Sequence, residues 1–212
     1  MTLPVKVAIG FVGAGTVAAG AYVAFPPSKP STSLSVRDHL KKSGYSLLNL
    51  NLEDSSTHAS EWEKVKGAYV AENDGQLKFN GVNTSNTING IKGACSFLLR
   101  KESYSSADLE KARRWCVVPV TVASRIGSHL ALLDTKASDG DSALWKDKLS
   151  EYKKNDSSSP KMPVTKANTG GDVTETDLKK ECEKISSLHT FDKDFETLVM
   201  NTQLWCTKSK VN

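Results

Sequence analysis

The first 37 residues contain no aspartate, glutamate, histidine or cysteine, and the first acidic residue is Asp38. The whole chain of 212 residues has four histidines and four cysteines, with no H-x-x-x-H and no C-x-x-C spacing. A metal site built on such pairs is therefore not expected. There is no G-x-x-x-x-G-K-[ST] loop and no G-x-S-x-G elbow, which removes two common phosphate-binding and acyl-transfer signatures. Aromatics make up 7% of the chain, and the formal charge of +4 comes from lysines interspersed with acids. That mixture reads as a solvated surface, not as a nucleic-acid-binding stripe.

What the N-terminus does have is "VAIGFVGAGTVAAGAYVAF", an uncharged run from Val7 to Phe25. Its G-A-G-T-V-A core matches a dinucleotide-binding fingerprint, but Pro26, Pro27 and Pro30 follow at once. Proline ends a helix, so the strand–turn–helix unit that the fingerprint needs has no helix. As a helix the run spans roughly 28 Å, close to a bilayer core. Tyr22 sits near one end, as interfacial rings do. Residues 1–25 are therefore expected to be a transmembrane anchor, with a cleavable signal peptide as the alternative. Residues 26–33 form a Pro/Ser linker. Lys6 lies before the run and Lys29, Arg37, Lys41 and Lys42 after it, so charge counting does not by itself place the rest of the chain outside.

The remaining chain repeats itself. "GYSLL", "EWEKVKGAY", "IKGAC" and "RRWC" recur as "GSHLALL", "LWKDKLSEY", "LKKEC" and "TQLWC". Leu48 pairs with Leu133, Trp62 with Trp145, Tyr69 with Tyr152, Cys95 with Cys182 and Cys116 with Cys206, at offsets of 85, 83, 83, 87 and 90 residues. All four tryptophans, including Trp115 and Trp205, and all four cysteines take part. This predicts a mainly α fold of two tandem helical repeats, 34–119 and 120–212, each longer than a solenoid unit. Trp62, Val65 and Tyr69 share a helical face, as do Trp145, Leu149 and Tyr152. So do Ile91, Cys95, Leu98 and Leu99; Leu178, Cys182, Ile185 and Leu188; and Phe195, Leu198, Val199, Thr202 and Trp205.

Ser105 with Asp108, and Thr174 with Asp177, resemble capping boxes. Asp192 is the expected cap of the last helix, and Asp141 or Ser142 that of the second Trp helix. The Val-rich "CVVPVTVASRI" reads as the junction, strand or turn. Residues 73–90 and 153–172 read as loops from their Asx-Gly, Gly and Pro content. The repeat core is expected to be Trp62, Tyr69, Trp115, Trp145, Tyr152 and Trp205.

In each repeat the first cysteine lies some way before the end of one helix and the second near the end of the next. An antiparallel hairpin brings such positions together, which favours Cys95–Cys116 and Cys182–Cys206; pairing across the repeats is the alternative. Beside an export-type N-terminus, disulfides outweigh free thiols. Cys116 or Cys206 as a nucleophile, with His129 or His189 as base, is the weaker reading, because both recur as a structural pair. Asn83-Thr-Ser and Asn155-Asp-Ser fit the glycosylation pattern, which matters only in a glycosylating host. No catalytic, cofactor-binding or metal-ligating residues are assigned.

The anchor, "SVRDHLKKSGYSLL", a W…Y helix and a C…WC helix pair together resemble large paralogous families of uncharacterised membrane-anchored proteins in haemotropic mycoplasmas. The resemblance covers nearly the whole chain and carries no activity or site residue. It implies a wall-less cell with a single membrane, and host contact or antigenic display at the surface. The expectation is thus a single-pass protein of the cell membrane, held through residues 7–25, with its soluble part outside, a host protein as partner, no nucleic acid and no enzymatic activity. A cytosol-facing tethered scaffold and an enzyme with a site between the repeats are the alternatives.

Overall fold

In the computed structural model the described residues are 34–136, 140–154, 161–167 and 170–210. The expected anchor and linker lie outside them. Among the described residues no helix is long and apolar enough to cross a membrane. The described chain is mainly helical, with eight α-helices and one two-stranded ribbon. The segment Ser33–Asn212 is one compact unit.

The first helix, α1 (Val36–Lys42), starts where the Ser35 hydroxyl accepts from the Asp38 N–H at 3.2 Å. Helix α2 (Ala59–Ala71) buries Trp62, Val65 and Tyr69 on one face, the i, i+3, i+7 set that the sequence spacing predicts. Helix α3 (Thr87–Leu98) buries Ile91, Cys95 and Leu98. Helix α4 (Ser106–Trp115) opens with a complete Ser105/Asp108 capping box, which satisfies two orphan N–H groups at its start. Two single 3-10 turns, Gly75–Leu77 and Thr84–Asn86, lie between α2 and α3.

The Val-rich junction is extended around Pro119. Val117 bridges Leu47 and Thr121 bridges His189, both antiparallel. A four-residue helix, α5 (Val122–Arg125), follows, capped by Thr121. Beyond it come β1 (Leu130–Leu132), α6 (Ser142–Lys153), α7 (Glu175–Ser187) and α8 (Phe195–Trp205), and the chain turns into β2 (Thr207–Ser209). The strands are antiparallel, with Leu130 opposite Ser209 and Leu132 opposite Thr207. Helix α7 has the expected Thr174/Asp177 capping box.

One expected cap is overturned, and another keeps its place without its capping bond. Helix α8 begins at Phe195 with Asp194 at the cap, not Asp192. The Asp192 carboxylate is taken by the preceding turn, where it accepts from the His189 N–H at 2.6 Å. Asp141 does sit at the cap of α6 but makes no capping bond. Its carboxylate instead accepts from the Asp134 N–H at 2.8 Å and from Lys208 at 2.6 Å, tying the helix start to β2. Met162 also departs from expectation. It lies in a stretch read as a polar loop, yet it is fully buried.

Both disulfides form within a hairpin, Cys95–Cys116 and Cys182–Cys206, each with a Cα–Cα distance of 5.6 Å. Each closes α3 on the end of α4, or α7 on the end of α8. Around each bridge the same contacts occur. The Leu48 N–H donates to the Cys116 carbonyl at 3.1 Å, and the Leu133 N–H to the Cys206 carbonyl at 2.9 Å. Trp62 Nε1 donates to the Asn49 carbonyl at 3.1 Å, and Trp145 Nε1 to the Asp134 carbonyl at 2.7 Å. The Tyr69 hydroxyl donates to the Phe79 carbonyl at 3.1 Å, and that of Tyr152 to the Met162 carbonyl at 2.6 Å. Tyr69 meets Trp115 edge-on at 4.9 Å, and Tyr152 meets Trp205 at 5.2 Å. Lys92 lies 5.7 Å above the Trp62 ring, and Lys179 5.8 Å above that of Trp145. One continuous apolar core runs from Val36 to Cys206 through both sets.

Candidate functional site

Where α1, α4 and α5 approach the start of α8, the surface opens into a cleft of about 440 Å³ whose lining includes His39, Tyr45, Glu110, Arg113, Arg125 and Glu196. Four separate stretches of chain supply these side chains. Tyr45 follows α1 because Gly44, at φ +79°, reverses the chain there. That φ favours glycine, and a Cβ there would in addition crowd Arg125 Nη1 at 3.1 Å.

The cleft's polar side chains are already engaged, with Arg113 and Glu110 as its pair of opposite charges. The buried Tyr45 hydroxyl donates to the Glu196 carboxylate. The Arg125 guanidinium stacks 4.4 Å over the Tyr45 ring and donates to the carbonyls of Ser43 and Gly44 at 2.7 and 3.2 Å. It thereby satisfies carbonyls at the C-terminal end of α1, which have no partner within the helix. Arg113, 5% exposed, donates to the Thr190 carbonyl and to Glu110 at 3.0 Å, and lies 5.3 Å over the Phe195 ring. His39 Nδ1 is 3.0 Å from the Tyr104 hydroxyl.

Burial, then the bond to Glu196, pushes the Tyr45 hydroxyl well above its ordinary pKa. The phenol therefore stays protonated and acts as a donor, not a nucleophile. Desolvation pulls the Arg113 pKa down. With these pairings the cleft presents donors and acceptors already engaged across the molecule. Its evident physical role is to join α1 and α4 to α5 and α8.

The sequence-derived residues lie elsewhere, at the two disulfides and the rings around them. Cys95, Cys116, Cys182 and Cys206 are all oxidised and at most 1% exposed. Neither Cys116 nor Cys206 can therefore serve as the nucleophile of the weaker reading. Trp62, Tyr69, Trp115, Trp145 and Trp205 are buried, and Tyr152 is partly buried against the same core. His129 and His189 remain apart from any thiolate; His189 stacks on Phe191 at 5.1 Å. Among the described residues no group of three or more His, Cys, Asp or Glu side chains could hold a metal ion.

The cleft residues were not singled out in the sequence, because they come from four elements and form no local motif. One signal was present. Arg113 stands four residues after Leu109 and three before Cys116, on the face of α4 where an apolar residue belongs. No protein-family model, no curated protein and no solved structure matches this chain.

Proposed function

We propose that this is a single-pass membrane-anchored protein whose body of two tandem helical repeats, 34–119 and 120–212, is displayed outside the cell. It works there through contact with other molecules, a host protein among them, not through catalysis. The observation that carries the reading is the pair of buried disulfides. Such bonds form and persist in oxidising compartments and are rare in cytosolic proteins. The uncharged run from Val7 to Phe25 supplies the tether. The matched contacts around the two bridges support the tandem-repeat reading, since they join residues at the offsets seen in the sequence. The resemblance to haemotropic mycoplasma families points the same way. The engagement of Arg113 by Glu110, of Glu196 by Tyr45 and of Arg125 by backbone carbonyls favours a structural cleft over a reaction centre.

Topology tests this directly. Intact cells are treated with a membrane-impermeant protease, and the protein is recovered from untreated cells with thiols alkylated before and after reduction. Loss of the body to protease, with thiols appearing only after reduction, is the expected result. A protected body with four alkylatable thiols before reduction would overturn the reading in favour of a cytosol-facing scaffold.

A further inference from the structure

Phe97 is the most exposed large hydrophobic side chain among the described residues, at 66%. It stands on α3 beside a groove of about 430 Å³. Phe79, Ala94 and the buried Leu98 line it together with Lys101, Asp108 and Lys111, so its charged groups are two ammoniums and one carboxylate. Lys101 is already engaged, 3.2 Å from Asp108 and 5.9 Å from the Phe97 ring centroid. The half-buried Lys111 makes no ion pair with the described residues, so the Lys101–Asp108 pair leaves one positive charge in the lining without a counter-charge.

The second half of the molecule shows what this position needs for folding alone. Counted from the first cysteine of each bridge, Ala94 and Phe97 correspond to Glu181 and Lys184. There the two side chains form an ion pair at 3.0 Å, with Lys184 in solvent. The corresponding helix face thus carries an ion pair beside a smaller groove of about 360 Å³ in one half, and an exposed ring beside the larger groove in the other. Nothing in the shared frame requires the ring. The exposed Phe97 ring shares a groove with Phe79 and Leu98 and lies beside an unpaired ammonium, and aromatic anchors carry much of the energy at contact surfaces.

We infer that this groove docks a peptide segment of a partner protein that presents one large apolar side chain, aromatic by preference, flanked by carboxylates. The apolar side chain fills the space over Ala94 and Leu98 and packs against Phe97. A flanking carboxylate pairs with Lys111. The inference rests on the reading that the body works by contact, but not on which side of the membrane it faces.

The test uses the full-length chain in lipid nanodiscs with its disulfides intact. Two fluorescein-labelled peptides serve as probes, one with a tryptophan between paired glutamates and one with the same tryptophan between paired lysines. Fluorescence anisotropy is expected to show saturable binding of the acidic peptide, at least about tenfold tighter than that of the basic one. Phe97→Lys installs the residue found after Cys182, and should abolish the binding while leaving the melting temperature near that of the unaltered chain. Lys111→Glu should weaken the acidic peptide about fivefold, or more. Met200→Lys, which removes another exposed apolar side chain, should bind as the unaltered chain does. Equal binding of both peptides, or full binding by Phe97→Lys, would overturn the inference. So would an oligomer of the unaltered chain that Phe97→Lys turns into a monomer, since the groove would then belong to a second copy. A body found in the cytosol would leave these results standing, and a failure here would leave the surface topology standing.

Discussion

The two halves of this molecule share a frame and differ in what they hang on it. The shared contacts are disulfides, ring-on-ring packing, and hydrogen bonds from side chains to backbone carbonyls, as with Trp62 to Asn49 and Trp145 to Asp134. The hydrogen bonds do not depend on the identity of the accepting residue, so loops can change composition while the frame holds. Charges follow no such rule. Lys92 and Lys179 both lie over a tryptophan, yet Lys92 donates to the carbonyls of Asn51 and Asp54, while Lys179 pairs with Glu175 at 2.9 Å. The lesson is that backbone acceptors preserve a geometry and side-chain charges are free to diverge around it.

The largest expected effect breaks the shared part. Removing either bridge, as Cys95→Ala/Cys116→Ala or Cys182→Ala/Cys206→Ala, should cost about 3 kcal/mol in the chain-entropy model. The sequence separations are 21 and 24 residues, and that difference alone amounts to only about 0.1 kcal/mol. Urea unfolding should therefore show nearly equal losses. A markedly larger loss on one side would show that the halves, alike in contacts, are unlike in the cavity left behind.

The lysines should separate the halves. Lys92 is 2% exposed, and its ammonium lies 2.8 and 2.9 Å from two carbonyls. Lys92→Met leaves those carbonyls without their donor and should cost about 2 kcal/mol. Lys179 lies nearer the surface in an i, i+4 pair, and Lys179→Met should cost about 0.5 kcal/mol. Equal losses would mean that the position over the ring matters more than what holds the ammonium.

The frame was legible because its residue types are rare and its spacing repeats. Tryptophan and cysteine at matched offsets mark both hairpins, and Ser or Thr three residues before Asp108 and Asp177 marks two helix starts. The errors fell where a polar side chain had competing partners. Asp192 serves a turn and leaves the cap to Asp194, while Asp141 holds the cap position but turns its carboxylate to Lys208, and local pattern cannot rank those partners. The cleft was hidden for a different reason. Tyr45 and Glu196 are 151 residues apart, and the single cue, Arg113 on an apolar face, names no partner. Met162 was hidden because a lone apolar residue between lysine and proline carries no periodicity.

The tyrosines sharpen the comparison on a finer scale. The Tyr69 hydroxyl donates to the Phe79 carbonyl and also accepts from the Phe79 N–H at 2.8 Å. Tyr152 donates to the Met162 carbonyl. Tyr69→Phe removes two bonds and orphans an N–H, at a cost of about 1.5 kcal/mol, against about 1 kcal/mol for Tyr152→Phe. Thermal melts of the two variants at equal pH would check the order.

The smallest expected effect concerns acid. Asp108 and Asp177 each close a capping box, on α4 in one half and on α7 in the other. The Ser105 N–H, then Lys101, holds the Asp108 carboxyl below the usual aspartate range. The Thr174 hydroxyl, then the N–H groups of Thr174 and Ala167, does the same for Asp177. A depressed pKa in the folded state means that the unfolded chain binds the proton first as pH falls. The stabilisation from both groups is thus complete above about pH 4 and is lost as pH drops through the folded-state values. Asp108→Asn and Asp177→Asn should each flatten the acid limb of a plot of urea midpoint against pH. Salt distinguishes them. Part of the Asp108 shift comes from the partly exposed Lys101, and about 1 M salt should screen that part. Asp177 leans first on a hydroxyl and two amides, which salt does not screen, and only last on the charge of Lys180, so most of its share of the acid limb should persist. If salt shrinks both shares alike, the Lys101 ammonium is not what separates the two caps.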